Sequence, residues 1–149
     1  MEKHIYKSHN KTLLLYHLVF PAKYRRKVFD ENVDKTLKSI CLEISDRYEI
    51  YFIEIGNDLD HIHFLVQSVP MLSITKIVTI IKSITAREIF KQHPEIKKIL
   101  WGGSLWSSGY YANTVGQFNN SEGIKQYIRN QGKDTQYKKL YQGQLNFEL

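Results

Sequence analysis

Cysteine and long apolar runs are scarce in this 149-residue chain, and each scarcity excludes a class of protein. Cys41 is the only cysteine, so an internal disulfide and a four-cysteine zinc site are both impossible, and a reducing cytoplasm is the expected location. No apolar run approaches the roughly 18 residues of a membrane span, and the opening MEKHIYKSHNK is too polar for the apolar middle of a secretory signal. No P-loop consensus is present.

Positive charge and aromatic residues are plentiful instead. The chain has 21 Lys+Arg against 15 Asp+Glu, a net charge of +6, which favours a polyanionic partner. Ten tyrosines, seven phenylalanines and two tryptophans offer surfaces on which unpaired bases could stack, although most such rings belong to hydrophobic cores. The run from Lys23 to Lys27, KYRRK, places four cations around one aromatic ring.

Hydrophobic patterning predicts the order strand, helix, strand, strand, helix, strand, helix. The predicted strands cover 12–20, 50–55, 61–67 and 109–115, with a turn at 56–58 between the second and third. Helices are predicted after caps at Asp30 and Ser121 and from Ser73, and a short one opens at Pro94. A βαββαβ order of α+β class suits a ferredoxin-like antiparallel sheet with helices on one face, leaving the other for solvent, ligand or partner. We expect one domain over 1–149. Within it, an extra C-terminal helix and a polar tail of roughly 15 residues follow the βαββαβ unit.

The segment from Asp60 to Val66, DHIHFLV, carries the clearest chemical pattern. Alternate residues of a strand point to opposite faces, so His61 and His63 project together, away from the apolar face. Two imidazoles at this spacing can bind one metal ion. The alternative is that both histidines merely occupy the exposed face of a half-buried strand, because two ligands alone do not complete a metal site.

The last predicted helix supplies candidates for a nucleophile and a third ligand. Tyr127 and Gln131 in IKQYIRNQG lie four residues apart, so they share one helix face. Spacing alone equally allows Tyr127 to be a packing residue and Gln131 its hydrogen-bonding neighbour.

Four segments together resemble a known family. YHLVFPAKYRRKVF, DHIHFLV, LWGGSLWSSGYYANTVG and IKQYIRNQ occur in the order found in HUH-type single-tyrosine transposases (TnpA) of the insertion-sequence 200/605 group. The chain departs from that pattern at Phe20-Pro21-Ala22, usually Trp-Cys-Pro, and at Asp58-Leu59-Asp60, where many relatives have Pro-Asp.

The resemblance implies a role for each matching residue. Tyr127 matches the catalytic tyrosine, His61 and His63 match the paired metal ligands, and Gln131 matches the residue that completes the site. It further implies a homodimer, with active sites that the subunits could share, and a substrate of single-stranded DNA hairpins at the ends of a mobile element. Two imidazoles and an amide oxygen suit Mg²⁺ or Mn²⁺.

Strand cleavage would then proceed through a 5′-phosphotyrosine that a second 3′-hydroxyl can reseal. Candidates for contacts with DNA are Lys23, Tyr24, Arg25, Arg26, Lys82 and Arg87. Three alternatives stay open: a module that only binds single strands, a metal-dependent hydrolase with a structural Tyr127, and a domesticated nicking or binding protein of the same fold.

Overall fold

A four-stranded antiparallel sheet is the centre of the fold. The computed structural model describes residues 3–116; the predicted helix with Tyr127 and Gln131 lies outside the described residues. The elements are β1 (Ile5–Lys7), β2 (Asn10–Thr12), β3 (Leu14–Pro21), α1 (Glu31–Arg47), β4 (Tyr51–Asn57), β5 (His61–Ser68), α2 (Ile74–Gln92), α3 (Pro94–Ile99) and β6 (Tyr111–Val115). A 3-10 turn, Lys23–Arg25, follows β3.

The strands lie in the order β4-β5-β3-β6, and every neighbouring pair is antiparallel. With α1 and α2 as the two crossover helices, this arrangement confirms the predicted α+β, ferredoxin-like sheet. The short hairpin β1-β2 pairs separately and was not predicted, because its mainly polar and exposed residues carry no alternating pattern.

Both long helices begin within one residue of the predicted position, and each has a side-chain cap. The Asp30 side chain accepts a hydrogen bond from the Val33 N–H, and the Ser73 hydroxyl accepts one from the Lys76 N–H. Each cap satisfies one of the free N–H groups of a first helical turn. Behind the caps, apolar stripes of the two helices pack on one sheet face in a single buried cluster that includes Leu37 and Ile81. Among the described residues, no helix is both long and apolar enough to cross a membrane.

Strand β4 contains a β-bulge that determines which of its residues lie beside β5. Phe52 pairs with Val66 and Glu54 with Leu65, so Ile53 is the extra residue. Beyond the bulge, Gly56 pairs with His63. The predicted turn at 56–58 is therefore corrected: Gly56 and Asn57 extend the strand, and the chain reverses at 58–60.

Candidate active site

Strand β5 places His61 and His63 on the sheet face opposite the helices, as predicted. Ile62 and Phe64 belong to the helix-covered core, whereas Leu65 contributes to a separate small cluster on the other face. The histidines are nevertheless buried, with 8% and 2% of their surfaces exposed. The alternative that both histidines merely occupy an exposed strand face is therefore wrong.

Both imidazoles converge on the carboxylate of Asp58. Its Oδ2 atom lies 3.1 Å from His61 Nε2 and 3.1 Å from His63 Nε2. Cis ligands of an octahedral ion, each about 2.1 Å from it, are themselves about 3 Å apart. Two imidazole nitrogens and one carboxylate oxygen at this spacing therefore fit a divalent cation.

The protonation states of Asp58 and His63 also favour binding of a cation. Burial alone would raise the pKa of Asp58, but hydrogen bonds from His61 and His63 outweigh it and hold that pKa well below its usual range. Burial also lowers the pKa of His63, although the neighbouring Asp58 acts in the opposite direction. An ionised carboxylate beside a neutral imidazole is the state that a metal ion requires of its ligands.

The second ring nitrogen of His61 is held by an acidic side chain. His61 Nδ1 lies 2.6 Å from Asp60 Oδ1, and the other Asp60 oxygen accepts a hydrogen bond from Arg25 Nη2 at 3.4 Å. A carboxylate on Nδ1 fixes the ring orientation, with Nε2 directed toward Asp58.

The second nitrogen of His63 meets another histidine. Its Nδ1 is 3.0 Å from Nε2 of His17, a buried residue of β3, and the two ring planes lie within 13° of each other with their centroids 5.3 Å apart. Burial, with a smaller contribution from His63, lowers the pKa of His17 to about 3, so its ring is neutral. A neutral His63 has one N–H and cannot donate to Asp58 and His17 at once. With a cation on Nε2, that N–H must lie on Nδ1 and be accepted by His17.

Asn57 anchors the loop that carries Asp58. Its amide nitrogen donates to the Phe29 carbonyl and to Asp34 Oδ1, both at 3.0 Å. Its amide oxygen accepts the Leu59 N–H at 2.7 Å. The loop is thus tied to α1, which keeps the carboxylate in place between the two histidines.

The candidate DNA contacts fall into three places. Lys23, Tyr24, Arg25 and Arg26 lie together on or beside the 3-10 turn after β3. Arg87 is an exposed residue of α2 next to Glu88. Lys82 is half-buried, and its Nζ donates to the carbonyls of Ser107 and Gly109 at 2.8 and 3.0 Å, a structural role alongside the predicted one.

Sequence reasoning missed three residues of this site. Asp58 is the third member of the histidine cluster, while His17 and Asp60 hold the outer ring nitrogens. The spacing Asp-x-x-His-x-His was a usable signal for Asp58. His17 lies far away in sequence, and only the β3-β5 pairing reveals it. Tyr127 and Gln131 lie outside the described residues, so their predicted roles stay predictions.

The fold and the cluster together define an antiparallel α+β domain with a buried histidine–aspartate centre. The family model described as IS200-like transposase matches residues 10–131. The ISDra2 transposase TnpA of Deinococcus radiodurans is 35% identical over 118 residues, covering 79% of this chain and 84% of that protein. The transposase of insertion sequence element IS200 from Salmonella typhimurium is 28% identical over 124 residues, covering 83% and 80%. The chain belongs to the IS200-like transposase family, which makes it a DNA-processing enzyme.

Solved structures agree with this assignment. A Deinococcus radiodurans R1 protein, provisionally assigned as a transposase, superposes with a TM-score of 0.68 at 30% identity, over 85% of this chain and 97% of that one. A REP-associated tyrosine transposase bound to a REP hairpin gives 0.51 at 11% identity, over 83% and 69%, and shows the fold alone. The resemblance noted from the sequence is confirmed.

Proposed function

We propose that the protein cleaves and rejoins single-stranded DNA at the ends of a mobile element, with Tyr127 as nucleophile. One observation carries the proposal: in a chain of the transposase family, two buried histidines and an aspartate bring their ligand atoms within 4.8 Å of one another. Burying polar groups is costly, and buried titratable groups with shifted pKa values gather at functional sites, which supports a chemical use of this cluster.

Asp58, His61 and His63 would hold a divalent cation, and Gln131 would add an amide oxygen from the tyrosine helix. Nitrogen ligands favour Mn²⁺ over Mg²⁺. When bound, the cation supplies positive charge that stabilises the negative charge developing on the scissile phosphate.

The protein's own residues perform the bond exchange. A tyrosine hydroxyl has an ordinary pKa of about 10 and is a weak nucleophile unless it is positioned and activated. The Tyr127 oxygen attacks the phosphorus, the P–O3′ bond breaks, and the departing 3′-oxygen takes up a proton equivalent to the one that the phenol loses. Tyr127 then holds the 5′-phosphate, and attack by another 3′-hydroxyl reverses the exchange without ATP.

Side chains outside the ligand set have positioning roles. Asp60, supported by Arg25, orients His61, and His17 accepts the Nδ1 proton that His63 must carry when its Nε2 is a ligand. Such outer hydrogen bonds fix ring orientation and raise ligand basicity.

The substrate and the assembly complete the proposal. Hairpin recognition is supported by the structural neighbour that holds a REP hairpin and by the basic turn after β3. We include a homodimer, in which Tyr127 serves its own or its partner's histidine pair, and a cytoplasmic location, where a chain with one cysteine stays reduced.

The decisive experiment captures the covalent intermediate. Incubation with Mn²⁺ and a labelled single-stranded hairpin oligonucleotide from the flank of the protein's own gene should give a protein–DNA adduct that resists denaturation. Tyr127→Phe should abolish it, whereas Tyr6→Phe, at an exposed tyrosine of β1, should not. Cleavage without an adduct would identify a hydrolase, and binding without cleavage a binding module or a domesticated protein; an undiminished adduct in Tyr127→Phe would refute the nucleophile.

A further inference from the structure

Two exposed aromatic rings lie in contact on the surface next to the metal centre. The side chains of Tyr24 and Trp101 are 56% and 74% exposed, and their ring centroids are 5.5 Å apart with planes tilted by 47°. Two exposed aromatic rings in direct contact form an apolar surface patch, and such patches mark binding sites. A tilted pair leaves ring surface open to a flat, unpaired base.

Positive charges flank both rings. Lys23 Nζ lies 5.5 Å from the Tyr24 centroid, and Arg26 Cζ lies 5.3 Å from the Trp101 centroid. Both distances fall within the roughly 6 Å range of cation–π contact. Aromatic rings with a cation over one face match a nucleotide, because a base stacks on the remaining ring surface while its phosphate meets the charge.

The backbone holds the rings in place. Tyr24 and Trp101 both have left-handed backbone conformations, with φ of 59° and 55°, which are unfavourable for side-chain-bearing residues. Hydrogen bonds close both turns, from the Arg25 N–H to the Ala22 carbonyl at 2.9 Å and from the Gly102 N–H to the Lys97 carbonyl at 2.7 Å. Strained residues kept in this way cluster at binding sites, and fixed rings lose little freedom when a ligand binds.

The ring pair is adjacent to the metal centre. Pro21, at the end of β3, pairs with His61, and the turn bearing Tyr24 follows at once. The Ala22 N–H donates to the Asp60 carbonyl at 2.9 Å, and Arg25 reaches the Asp60 carboxylate. We propose that Tyr24 and Trp101 form a stacking site for an unpaired base of the DNA strand whose phosphate the metal centre receives. This proposal rests on the proposed function and adds a base-binding residue, Trp101, on the loop after α3.

Binding measurements without metal test the site separately from cleavage. The probes are fluorescent oligo(dT) of about 15 nucleotides and an oligomer of equal length whose sugars lack bases, read by anisotropy in EDTA. We expect Trp101→Ala to weaken oligo(dT) binding about fivefold to a hundredfold and to leave binding of the abasic oligomer unchanged. Trp101→Phe, which retains a ring, should recover most of the loss.

Tyr6→Ala is the matched control. Tyr6 is 69% exposed and has Lys11 Nζ 5.5 Å from its ring centroid, but it lies on the separate hairpin, so its loss should leave oligo(dT) binding unchanged. Equal oligo(dT) affinity of wild type and Trp101→Ala would overturn the stacking site, even if the covalent adduct forms. A change in sedimentation mass with unchanged DNA affinity would also overturn it, and would identify a contact between copies of the chain. If no adduct forms but Trp101→Ala weakens binding as expected, the stacking site stands and the cleavage proposal fails.

Discussion

The two faces of strand β5 have opposite characters although their residues alternate along one short segment. Ile62, Phe64 and Val66 are completely buried among apolar residues of the helix-covered core. On the other face, His61 and His63 are buried among hydrogen-bonding partners. The first face stabilises the fold, whereas the second uses that stability to keep polar groups dehydrated and in fixed positions.

The comparison shows how a small chain accommodates a buried polar site. Folded proteins are stable by only about 5–15 kcal/mol, and buried polar groups reduce that margin unless they are fully hydrogen-bonded. Here each histidine has a polar side chain within 3.1 Å of both of its ring nitrogens, and the apolar residues between them maintain the strand. Substitutions on the two faces should therefore have separable effects.

The largest expected contrast is between adjacent residues. His63→Ala removes a proposed metal ligand and should reduce cleavage about a thousandfold or more, since metal assistance contributes several kcal/mol. Phe64→Ala leaves a cavity in the core and should lower the free energy of unfolding by about 3–5 kcal/mol. Urea denaturation with single-turnover cleavage measures both. Under conditions where Phe64→Ala is still folded, its cleavage should be near that of wild type. Equal losses of cleavage in the two folded variants would contradict the division between the faces.

A smaller effect is expected for His17, which contacts His63 but is not itself a proposed metal ligand. His17→Phe keeps a ring at this position but removes the acceptor for His63 Nδ1, so Mn²⁺ affinity should fall about 10- to 100-fold. His17→Gln, whose amide oxygen can accept the hydrogen bond from His63 Nδ1, should recover part of the lost Mn²⁺ affinity. Calorimetric titration with Mn²⁺ provides the measurement. If both variants bind Mn²⁺ as wild type does, His17 is a packing residue only.

The smallest effect concerns the ammonium group of Lys82, the half-buried lysine of α2. Burial lowers the pKa of Lys82 to about 8 from 10.5, so between those values the folded chain releases a proton that the unfolded chain retains. Stability should therefore rise with pH across that window and be unaffected by Lys82 titration below it. The gain should be under about 1 kcal/mol, because the half-buried amine is screened by water. Urea denaturation of wild type and Lys82→Met at several pH values isolates the contribution of Lys82 to stability. An identical dependence of stability on pH in the two proteins would contradict the lowered pKa of Lys82.

Much of the fold was predictable because its signals are local. Asp30 and Ser73 cap their helices through contacts within three residues, and the alternation in β5 depends only on the geometry of a strand. The face on which His61 and His63 lie followed from the same alternation.

The rest depends on contacts that only the folded chain creates. His17 approaches His63 through antiparallel pairing, and Trp101 meets Tyr24 across a long stretch of sequence. The aspartate at position 58 was noted only as a departure from the family pattern, because nothing local shows that its carboxylate turns toward both imidazoles.

The bulge in β4 has a consequence for which changes of length the chain can tolerate. Because Ile53 is the extra residue, its deletion would close the bulge and leave the register unchanged, with Glu54 still opposite Leu65 and Gly56 still opposite His63. Deletion of Ile55 would instead place Gly56 opposite Phe64 and Asn57 opposite His63, so Asn57 would lose its tie to α1. A one-residue deletion in this strand is therefore tolerated at the bulge, whereas beyond the bulge it would disturb the core and the candidate site together.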